Sequence, residues 1–484
     1  MAQEHLDRLS AVDASFLLQE GAGTHMHICC VATFAGPPPT YEDLLEHVAG
    51  RLHLVPRYRQ KVRDAPLRTG RPLWVDDPNF NLAYHVRQTA LPRPGSESQL
   101  LALTGRIFSQ RLDRTKPLWE MWLVEGFEGG ASGASGGRFA LVVKTHHCLV
   151  DGVSGVDLLT VLFDLDPVPA RGGDAEPDAW SPHPEPSPAE LVAAGAQSLA
   201  DLGREVAGRA VGAVANPARA LVGVRDAVEG VAEVAWAALN PPAETPLTVP
   251  PGPHRRFAVV PARLDEFKHV KNAFGGTVND VVLAVVAGGL AEFLRARGMR
   301  TDGMRLRAIV PVSVRTSEQR GALGNQLTQV LCPLPVHIED PVARLQAVRR
   351  TMDGVKESKQ ALGAEAIIGL ERFAPPTILA QASRLHFARG MYTLLVSNVP
   401  GPQFPLYVLG REMEASYPVG FLGGKRSVAI AVMSYNGGMN FGLLGDFDAL
   451  PDLELLGGGI QASLGELVAL AERQRVSRAP STAA

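Results

Sequence analysis

Residues 139–152, FALVVKTHHCLVDG, run from an apolar segment into two adjacent histidines, an aspartate and a glycine. Residues 139–145 are mainly aromatic, aliphatic and β-branched, which favours a buried strand. Residues 152–163 then show the helical spacing of apolar side chains. A strand that leads through a short loop into a helix predicts a layered α/β structure, with both histidines at the carboxyl end of the strand.

The two histidines, His146 and His147, are suited to general-base catalysis. A neutral imidazole near pH 7 can accept the proton of an alcohol as that alcohol attacks a thioester. Asp151 follows in the same loop, where its carboxylate is placed to hold the loop through a charge-assisted bond to a cation. Gly152 lets the backbone pass close to the next layer of the structure. The segment therefore predicts a catalytic loop.

Other interpretations of these segments are weaker. A metal site formed by His146, His147 and Asp151 is disfavoured, because adjacent side chains on an extended segment point to opposite faces. Residues 152–156, GVSGV, lack the second glycine of the G-x-S-x-G turn of serine hydrolases. Residues 420–427, GFLGGKRS, do not fit a phosphate-binding loop, because an arginine separates the lysine from the serine. A structural role for two buried histidines stays open, although the following Asp-Gly pair argues against it.

Length and composition narrow the class of protein. A chain of 484 residues is long for one hydrophobic core and predicts two domains. Its 47 basic and 50 acidic side chains leave a net charge of −3, which disfavours nucleic-acid binding. The N-terminus lacks the apolar core of a signal peptide, and no unbroken apolar stretch approaches the roughly 18 residues of a membrane span. The four cysteines form no C-x-x-C pair, so we predict a cytoplasmic protein with small, buried, reduced cysteines.

Residues 1–169 and 254–475 are each predicted to form an α/β domain. Further predicted strands and helices are strands at 26–34, 306–314, 394–399 and 428–433, and helices at 41–53 and 279–297. Residues 170–253 are predicted to link the domains, since 171–188 are dense in Pro, Gly, Ser and acidic residues. Residues 476–484 are expected to form a flexible tail, with fraying from Leu470 onward.

The second part of the linker, residues 189–239, is rich in Ala and Val and is broken at Asn216-Pro217. Its later half carries an apolar stripe along one helical face, formed by Leu221, Val224, Val228, Val231 and Ala235. This stripe has two interpretations. It belongs either to a helical hairpin packed across the two domains or to a helix that lies in a membrane surface.

Several motifs resemble those of a known family. Residues 146–152, HHCLVDG, resemble the HHxxxDG motif of the chloramphenicol acetyltransferase and condensation-domain superfamily. Six further segments resemble, in order, motifs of the bacterial bifunctional wax ester synthase/diacylglycerol acyltransferase family: 9–16 (LSAVDASF), 117–120 (PLWE), 279–284 (NDVVLA), 310–315 (VPVSVR), 324–325 (GN) and 397–402 (SNVPGP). The ordered series covers most of the chain and is more specific than any single motif. Cys148 departs from the family pattern, in which a small apolar residue such as alanine is common.

The resemblance implies two chloramphenicol-acetyltransferase-like α/β domains with mixed sheets, joined by a helical linker, and an active site in a tunnel between them. It implies that His147 is the general base, while His146, Asp151 and Gly152 support the loop. The hydroxyl would attack acyl-CoA directly, so acyl-CoA is a substrate, and no cofactor or metal ion is expected. Asn279 is the candidate donor to the oxyanion, with helix N-capping as its structural alternative.

Two more residues are candidates for substrate contact. Trp119 lies in the PLWE motif and is expected either to touch substrate or to pack in the core. Arg315 is expected to pair with Asp151 or with a phosphate of CoA, and the sequence does not decide between them.

The activity implied by the resemblance is acylation of diacylglycerol to triacylglycerol, and of long-chain alcohols to wax esters. The protein would then associate peripherally with the inner face of the membrane or with lipid droplets. Two alternatives stay open. One is acyl transfer to a different hydroxyl or amine acceptor, and the other is a catalytically silent protein that binds lipid droplets.

Overall fold

The computed structural model describes residues 7–64, 71–128, 137–149, 162–168, 180–193, 243–313, 327–357 and 391–478, together with residues 197 and 204. Asp151, Gly152 and Arg315 lie outside the described residues, as do most of the predicted helix at 152–163 and the apolar stripe between 221 and 235. Residues 180–187, in the predicted linker, have no regular secondary structure.

Two six-stranded sheets organise the described chain. The strands of the first are β1 (His27–Ala35), β4 (Val86–Ala90), β5 (Trp119–Phe127), β6 (Arg138–His146), β11 (Tyr407–Val408) and β12 (Arg411–Val419). Their order across the sheet is β11-β12-β1-β6-β5-β4. β6 is antiparallel to both of its neighbours, and all of its residues after Arg138 are buried. This central position suits a strand of apolar and β-branched residues.

The second sheet is formed by β7 (Arg255–Arg263), β8 (Leu306–Ser313), β9 (Leu327–Leu334), β10 (Leu394–Pro400), β13 (Val428–Tyr435) and β14 (Gly438–Asp446). Its order is β7-β14-β13-β10-β8-β9. β10 is parallel to β13 and β8, whereas the other pairs are antiparallel, so the sheet is mixed. A small hairpin of β2 (Gln60–Arg63) and β3 (Leu73–Asp76) completes the strands.

The helices of the first half are α1 (Ala11–Gln19), α2 (Tyr41–Ala49), α3 (Leu82–His85) and α4 (Glu97–Ser109), and those of the second half are α5 (Leu264–Phe274), α6 (Val278–Ala296), α7 (Pro341–Glu357) and α8 (Leu453–Arg478). α6 is apolar on almost every face and lies under α7 and α8 in the largest hydrophobic core. A helix with this composition can be stable only when it is buried on all sides.

One pair of strands crosses between the halves. β11 and β12 fall within the second predicted domain, but β12 pairs with β1 along most of its length, from Cys29 opposite Val419 to Phe34 opposite Met413. Residues 407–419 therefore complete the first sheet. The exposed edge of β1 would otherwise offer unpaired backbone groups, which β12 satisfies.

The two sheets share a hydrophobic core. Val31 and Val142 from the first sheet meet Phe257 and Leu444 from the second, together with Phe108 of α4. α4 also approaches β7 closely. The halves are thus joined by packed apolar side chains in addition to the crossing strands.

Among the described residues, one helix is long and apolar enough to cross a membrane by length and composition, and so are α5 and α6 taken together, although a bend of 99° separates those two. The single helix is α8, from Leu453 to Ser477. Leu453, Leu456 and Leu467 on this helix are buried against the α6 core. This packing is that of a core helix.

The strands predicted around residues 26–34, 139–145, 306–314, 394–399 and 428–433 are present, each with bounds that differ by at most a residue or two. The helix predicted at 41–53 ends at Ala49 and is followed by a 3₁₀ turn, Leu52–Leu54. The prediction of fraying after Leu470 was wrong for the described residues, because α8 continues to Arg478. Ala471 of this last part is fully buried, which accounts for the longer helix.

Candidate active site

The register of the first sheet brings the predicted loop to the middle of the molecule. His146 is the last residue of β6 and lies opposite His27 of β1. His147 opens a short 3₁₀ turn, His147–Leu149, and its backbone N–H donates to the carbonyl oxygen of Met26 at 2.9 Å. The chain is therefore anchored next to the start of β1 where it leaves the first sheet. This bond fixes the position of the His147 backbone.

The imidazole of His147 is held between two phenyl rings. Phe16 of α1 stacks on it with ring centroids 3.9 Å apart and planes inclined by 24°. Phe421, in the loop after β12, meets it edge-on with centroids 5.4 Å apart. His147 keeps a partly exposed surface, whereas His146 beside it is buried. Of the two histidines, His147 is thus the one that a substrate can reach.

Burial of His147 lowers the pKa of its imidazole from 6.5 to about 4, while a hydrogen bond to its own backbone raises that pKa. A neutral imidazole keeps one ring nitrogen with a free lone pair, which can accept a proton. At pH 7 the ring is neutral and can act as a proton acceptor.

His146 has a different environment. Its Nδ1 accepts a hydrogen bond from the backbone N–H of Cys148 at 3.2 Å, and the Cys148 thiol lies 3.0 Å from the same nitrogen. Burial, together with the nearby Arg114 and His147, lowers the pKa of His146 to about 3. Because this ring accepts a bond that shapes the 3₁₀ turn, the geometry supports the predicted role of His146 in loop structure.

The buried carboxylate of Glu20 lies close to His27, the residue opposite His146 in the sheet. The side chain of Glu20 is 1% exposed and lies 3.4 Å from both Arg111 and Arg114, and 3.9 Å from Nε2 of His27. Arg114 also donates to the carbonyl oxygen of Leu17, near the end of α1, at 3.2 Å. This ion cluster fastens α1 to the segment that precedes β5. Sequence reasoning did not single out any of these side chains.

Lys144 is buried directly beneath the histidines. Its ammonium group is fully enclosed and contacts three oxygens, those of Ile107 at 3.0 Å, Gln110 at 3.1 Å and the Glu120 carboxylate at 3.1 Å. All three ammonium donors are therefore matched, which is what makes a buried lysine tolerable. Burial lowers its pKa and Glu120 raises it. The lysine ties the end of α4 to β6 and β5.

Asn279 lies in the first turn of α6, in the second half of the molecule. The N-cap of α6 is Thr277, whose hydroxyl accepts from the N–H of Asp280, so the capping role considered for Asn279 was wrong. The Oδ1 of Asn279 accepts a hydrogen bond from Nδ2 of Asn398 on β10 at 3.3 Å. This bond leaves the Nδ2 group of Asn279 to donate elsewhere. Among the described residues, no hydrogen bond joins this amide pair to His147.

Trp119 is part of the core. Its side chain is fully buried, its Nε1–H donates to the Tyr58 carbonyl oxygen at 2.9 Å, and its ring lies between those of Tyr58 and His85 at 4.6 and 4.7 Å. These contacts support the packing interpretation, and substrate contact by Trp119 stays a prediction. Asp151, Gly152 and Arg315 are outside the described residues, so their predicted roles stay predictions.

Phe16, Phe421 and Asn398 are the site residues that sequence reasoning missed. Phe16 and Asn398 both lie within motifs quoted above, LSAVDASF and SNVPGP, which was the available signal. Among the described residues, no group of three or more His, Cys, Asp or Glu side chains could hold a metal ion.

Comparisons with known proteins agree on one family. The family model "Wax ester synthase/diacylglycerol acyltransferase catalytic domain" matches residues 9–282, and "WS/DGAT C-terminal domain" matches residues 323–468. A Mycobacterium tuberculosis protein described as a probable diacylglycerol O-acyltransferase (tgs1) is 32% identical over 485 residues, covering 98% of each chain. A second M. tuberculosis protein with that description (tgs2) is 33% identical, covering 96% of this chain and 99% of its own.

Comparisons with solved structures agree with this family. The wax ester synthase/diacylglycerol acyltransferase from Marinobacter aquaeolei VT8 matches with a TM-score of 0.63 and 26% identity, over 96% of this chain and 100% of that one. The first condensation domain of the calcium-dependent antibiotic synthetase shares the fold, with a TM-score of 0.58 and 17% identity over 96% and 97% of the two chains. The chain therefore belongs to the wax ester synthase/diacylglycerol acyltransferase family.

Proposed function

We propose that the chain is an acyl-CoA-dependent O-acyltransferase that makes triacylglycerol from diacylglycerol and also converts long-chain alcohols to wax esters. The observation that carries the proposal is His147, a neutral and partly exposed histidine that directly follows the central strand β6. The descriptions of the two M. tuberculosis proteins and the Marinobacter enzyme support the choice of substrates.

In this mechanism Nε2 of His147 accepts the proton of the acceptor hydroxyl as its oxygen bonds to the thioester carbonyl carbon. The carbon–sulfur bond then breaks, and the imidazolium returns the proton to the departing thiolate, which leaves as CoA. No acyl-enzyme forms, and acyl-CoA is a substrate. A low pKa suits the resting base, because the ring carries no proton when the acceptor arrives.

The negative charge that develops on the carbonyl oxygen needs a donor. Asn279 is proposed for this role, since Asn398 occupies its amide oxygen and leaves its Nδ2–H groups to donate. An amide held in this way loses little freedom when it binds the oxyanion, which favours the transition state. Asn398 would then act through Asn279.

Both proposed acceptors reside in lipid phases, so the proposal includes peripheral contact with the inner face of the membrane or with lipid droplets. With a net charge of −3, binding should depend little on attraction to anionic lipid. Co-sedimentation with liposomes that contain diacylglycerol is expected, with little change between low and high salt. Absence of co-sedimentation would contradict this part of the proposal.

The test of function offers diacylglycerol and hexadecanol together with palmitoyl-CoA to the purified chain. Triacylglycerol and hexadecyl palmitate should form, and their sum should equal the CoA thiol released. Thiol release that depends on neither acceptor would overturn the proposal. A protein that co-sediments with lipid droplets but releases no CoA would identify the catalytically silent alternative.

A further inference from the structure

Phe16 lies closer to the imidazole of His147 than any other described ring. Its centroid is 3.9 Å away in a stacked arrangement, and the side chain is only 6% exposed. Phe421 contacts both rings, meeting Phe16 edge-on at 6.1 Å and His147 edge-on at 5.4 Å. The three rings form one cluster, with Phe16 covering a whole face of the imidazole.

The position of Phe16 is set by α1 rather than by the site itself. Ser10 caps the start of α1 with its hydroxyl, which accepts from the backbone N–H of Asp13. The far end is held by Arg114 through the Leu17 carbonyl oxygen and through Glu20, the residue after the helix. The helix also packs against the 3₁₀ turn that carries His147. The phenyl ring is therefore in place before any substrate binds.

Few polar contacts are available to orient this imidazole. Within the described part of the chain, neither ring nitrogen of His147 bonds to another residue, and no charged side chain is among the causes of its low pKa. A histidine base in other enzymes is commonly oriented by a carboxylate on the second ring nitrogen. Here the contact that fixes the plane of the ring is the stack on Phe16.

We propose that Phe16 is a positioning residue that holds the imidazole of His147 in the plane from which Nε2 meets the acceptor hydroxyl, and that keeps water from one face of the ring. This inference rests on the proposed function for its catalytic part. Its structural part concerns the environment of His147 and can be measured without any turnover.

The charged and titratable groups that approach this cluster stay unchanged when Phe16 is replaced. They are His146 of β6, the side chains that act on His146 and Cys148 (Asp13 of α1, Glu20 directly after α1, and Arg111 and Arg114 before β5), and Arg426, which lines a small cavity together with Phe421. Burial is the largest cause of the low pKa of His147. Loss of the Phe16 ring should therefore admit water to the imidazole of His147 and raise the pKa of His147 toward its ordinary value.

The experiment compares Phe16→Leu and Phe16→Met, which keep an apolar side chain without the flat ring, with Phe16→Tyr, which keeps the ring. Met serves if Leu packs poorly, because its flexible chain fills irregular space. Leu17→Ala is the matched control, since Leu17 is also buried on α1 and touches a different part of the core. Two readouts are taken on each protein. They are single-turnover rate constants as a function of pH, and the NMR titration of the His147 ring, whose signal is identified by its loss in His147→Gln.

In the wild-type protein and in Phe16→Tyr, the His147 signal should not titrate between about pH 5.5 and 8. In Phe16→Leu and Phe16→Met it should titrate within that range, and the rate constant should fall about tenfold or more with little change in KM. Leu17→Ala should leave the titration of His147 unchanged. If the Phe16 variants leave both the titration and the rate constant at wild-type values, or match Leu17→Ala in both, the proposal is overturned. A shifted titration in a chain that releases no CoA would support the role of Phe16 and overturn the proposed function instead.

Discussion

β6 and α6 are both deeply buried, one in each half of the molecule, but they bury different chemistry. β6 ends in Lys144, Thr145 and His146, all of which are enclosed. α6 buries an unbroken run from residue 280 to residue 291, in which only Asp280 is charged. Each element thus confines its buried polar groups to one end, and the candidate catalytic side chains lie beside them, His147 directly after β6 and Asn279 in the first turn of α6.

The difference has a physical reason. A buried polar group costs free energy unless it is paired, so a strand that buries a lysine and a histidine needs specific partners for both. β6 has them in Glu120, in the carbonyl oxygens at the end of α4, and in the Cys148 N–H. α6 needs only close apolar contact. Under the proposed function both elements take part, because β6 leads into His147 and the first turn of α6 carries Asn279.

The largest effect is expected at the end of β6. His147→Ala removes the proposed base, and acyl transfer should fall by about 10²–10⁴-fold, because a positioned base contributes that much. The fold should be kept, since the ring is only partly buried and its backbone bond to Met26 remains. Acceptor-dependent CoA release and the melting temperature check the two statements.

His146→Ala is the companion variant. It removes the acceptor of the Cys148 N–H, so it should lower thermal stability as well as activity. Full activity in His147→Ala combined with none in His146→Ala would reverse the two roles.

Much of this contrast could be predicted from the sequence. The apolar run at 139–145 and the helical pattern at 279–297 each have one clear periodicity, and both elements are present. The HHxxxDG resemblance selected His147. Local pattern was sufficient for these two elements, although it misjudged the end of α2 and the length of α8.

Contacts between distant segments could not be predicted in this way. Phe16 reaches His147 only because α1 packs on the 3₁₀ turn, and Asn398 reaches Asn279 only through the pairing of β10 in its sheet. β12 was not among the predicted strands, and its pairing with β1 joins segments that are far apart in the chain. The sequence could not decide between packing and substrate contact for Trp119, because its ring partners Tyr58 and His85 come from other elements.

Removing the buried cation of β6 should cost stability. Lys144→Met leaves two carbonyl oxygens and part of the Glu120 carboxylate without a donor, and breaking such a buried pair costs about 3–5 kcal/mol. Chemical unfolding measures this loss. Lys268→Met on the exposed face of α5 is the control and should change stability by less than about 0.5 kcal/mol. Equal effects for the two variants would mean that the lysine network does not stabilise the first half.

A smaller loss is expected where α6 meets α8. A Cβ added at Gly289 would lie 2.7 Å from the backbone nitrogen of Ile460, so the helices must move apart. Gly289→Ala should destabilise the protein by about 1–3 kcal/mol, the usual cost of overpacking. Gly458→Ala, on the exposed face of α8 with nothing near its Cβ, should instead be neutral or slightly stabilising. Thermal unfolding of both variants tests whether close packing, rather than helix propensity, governs this contact.

The smallest expected effect is a change of activity with pH. It concerns the first half of the molecule, which carries His147. The sequence predicts activity that rises through the neutral range, as for an ordinary histidine with a pKa of 6.5. Burial lowers the pKa of His147 to about 4, so that prediction requires correction: activity should be nearly constant from about pH 6 to 8 and fall only as the pH approaches 4.

The free energy of unfolding should also depend on pH, through His146. The folded-state pKa of His146 is lowered to about 3, so between pH 6.5 and 3 the unfolded chain binds a proton that the folded chain does not. Stability from this group is therefore complete above about pH 6.5 and is lost progressively as the pH falls toward 3. Unfolding measured at pH 7.5 and pH 5 should show a larger loss for the wild type than for His146→Asn, whose amide still offers an oxygen to the Cys148 N–H. His53→Gln, which changes an exposed histidine, should behave as the wild type does. If His146→Asn loses as much stability as the wild type between these two pH values, the buried end of β6 is not the source of acid sensitivity.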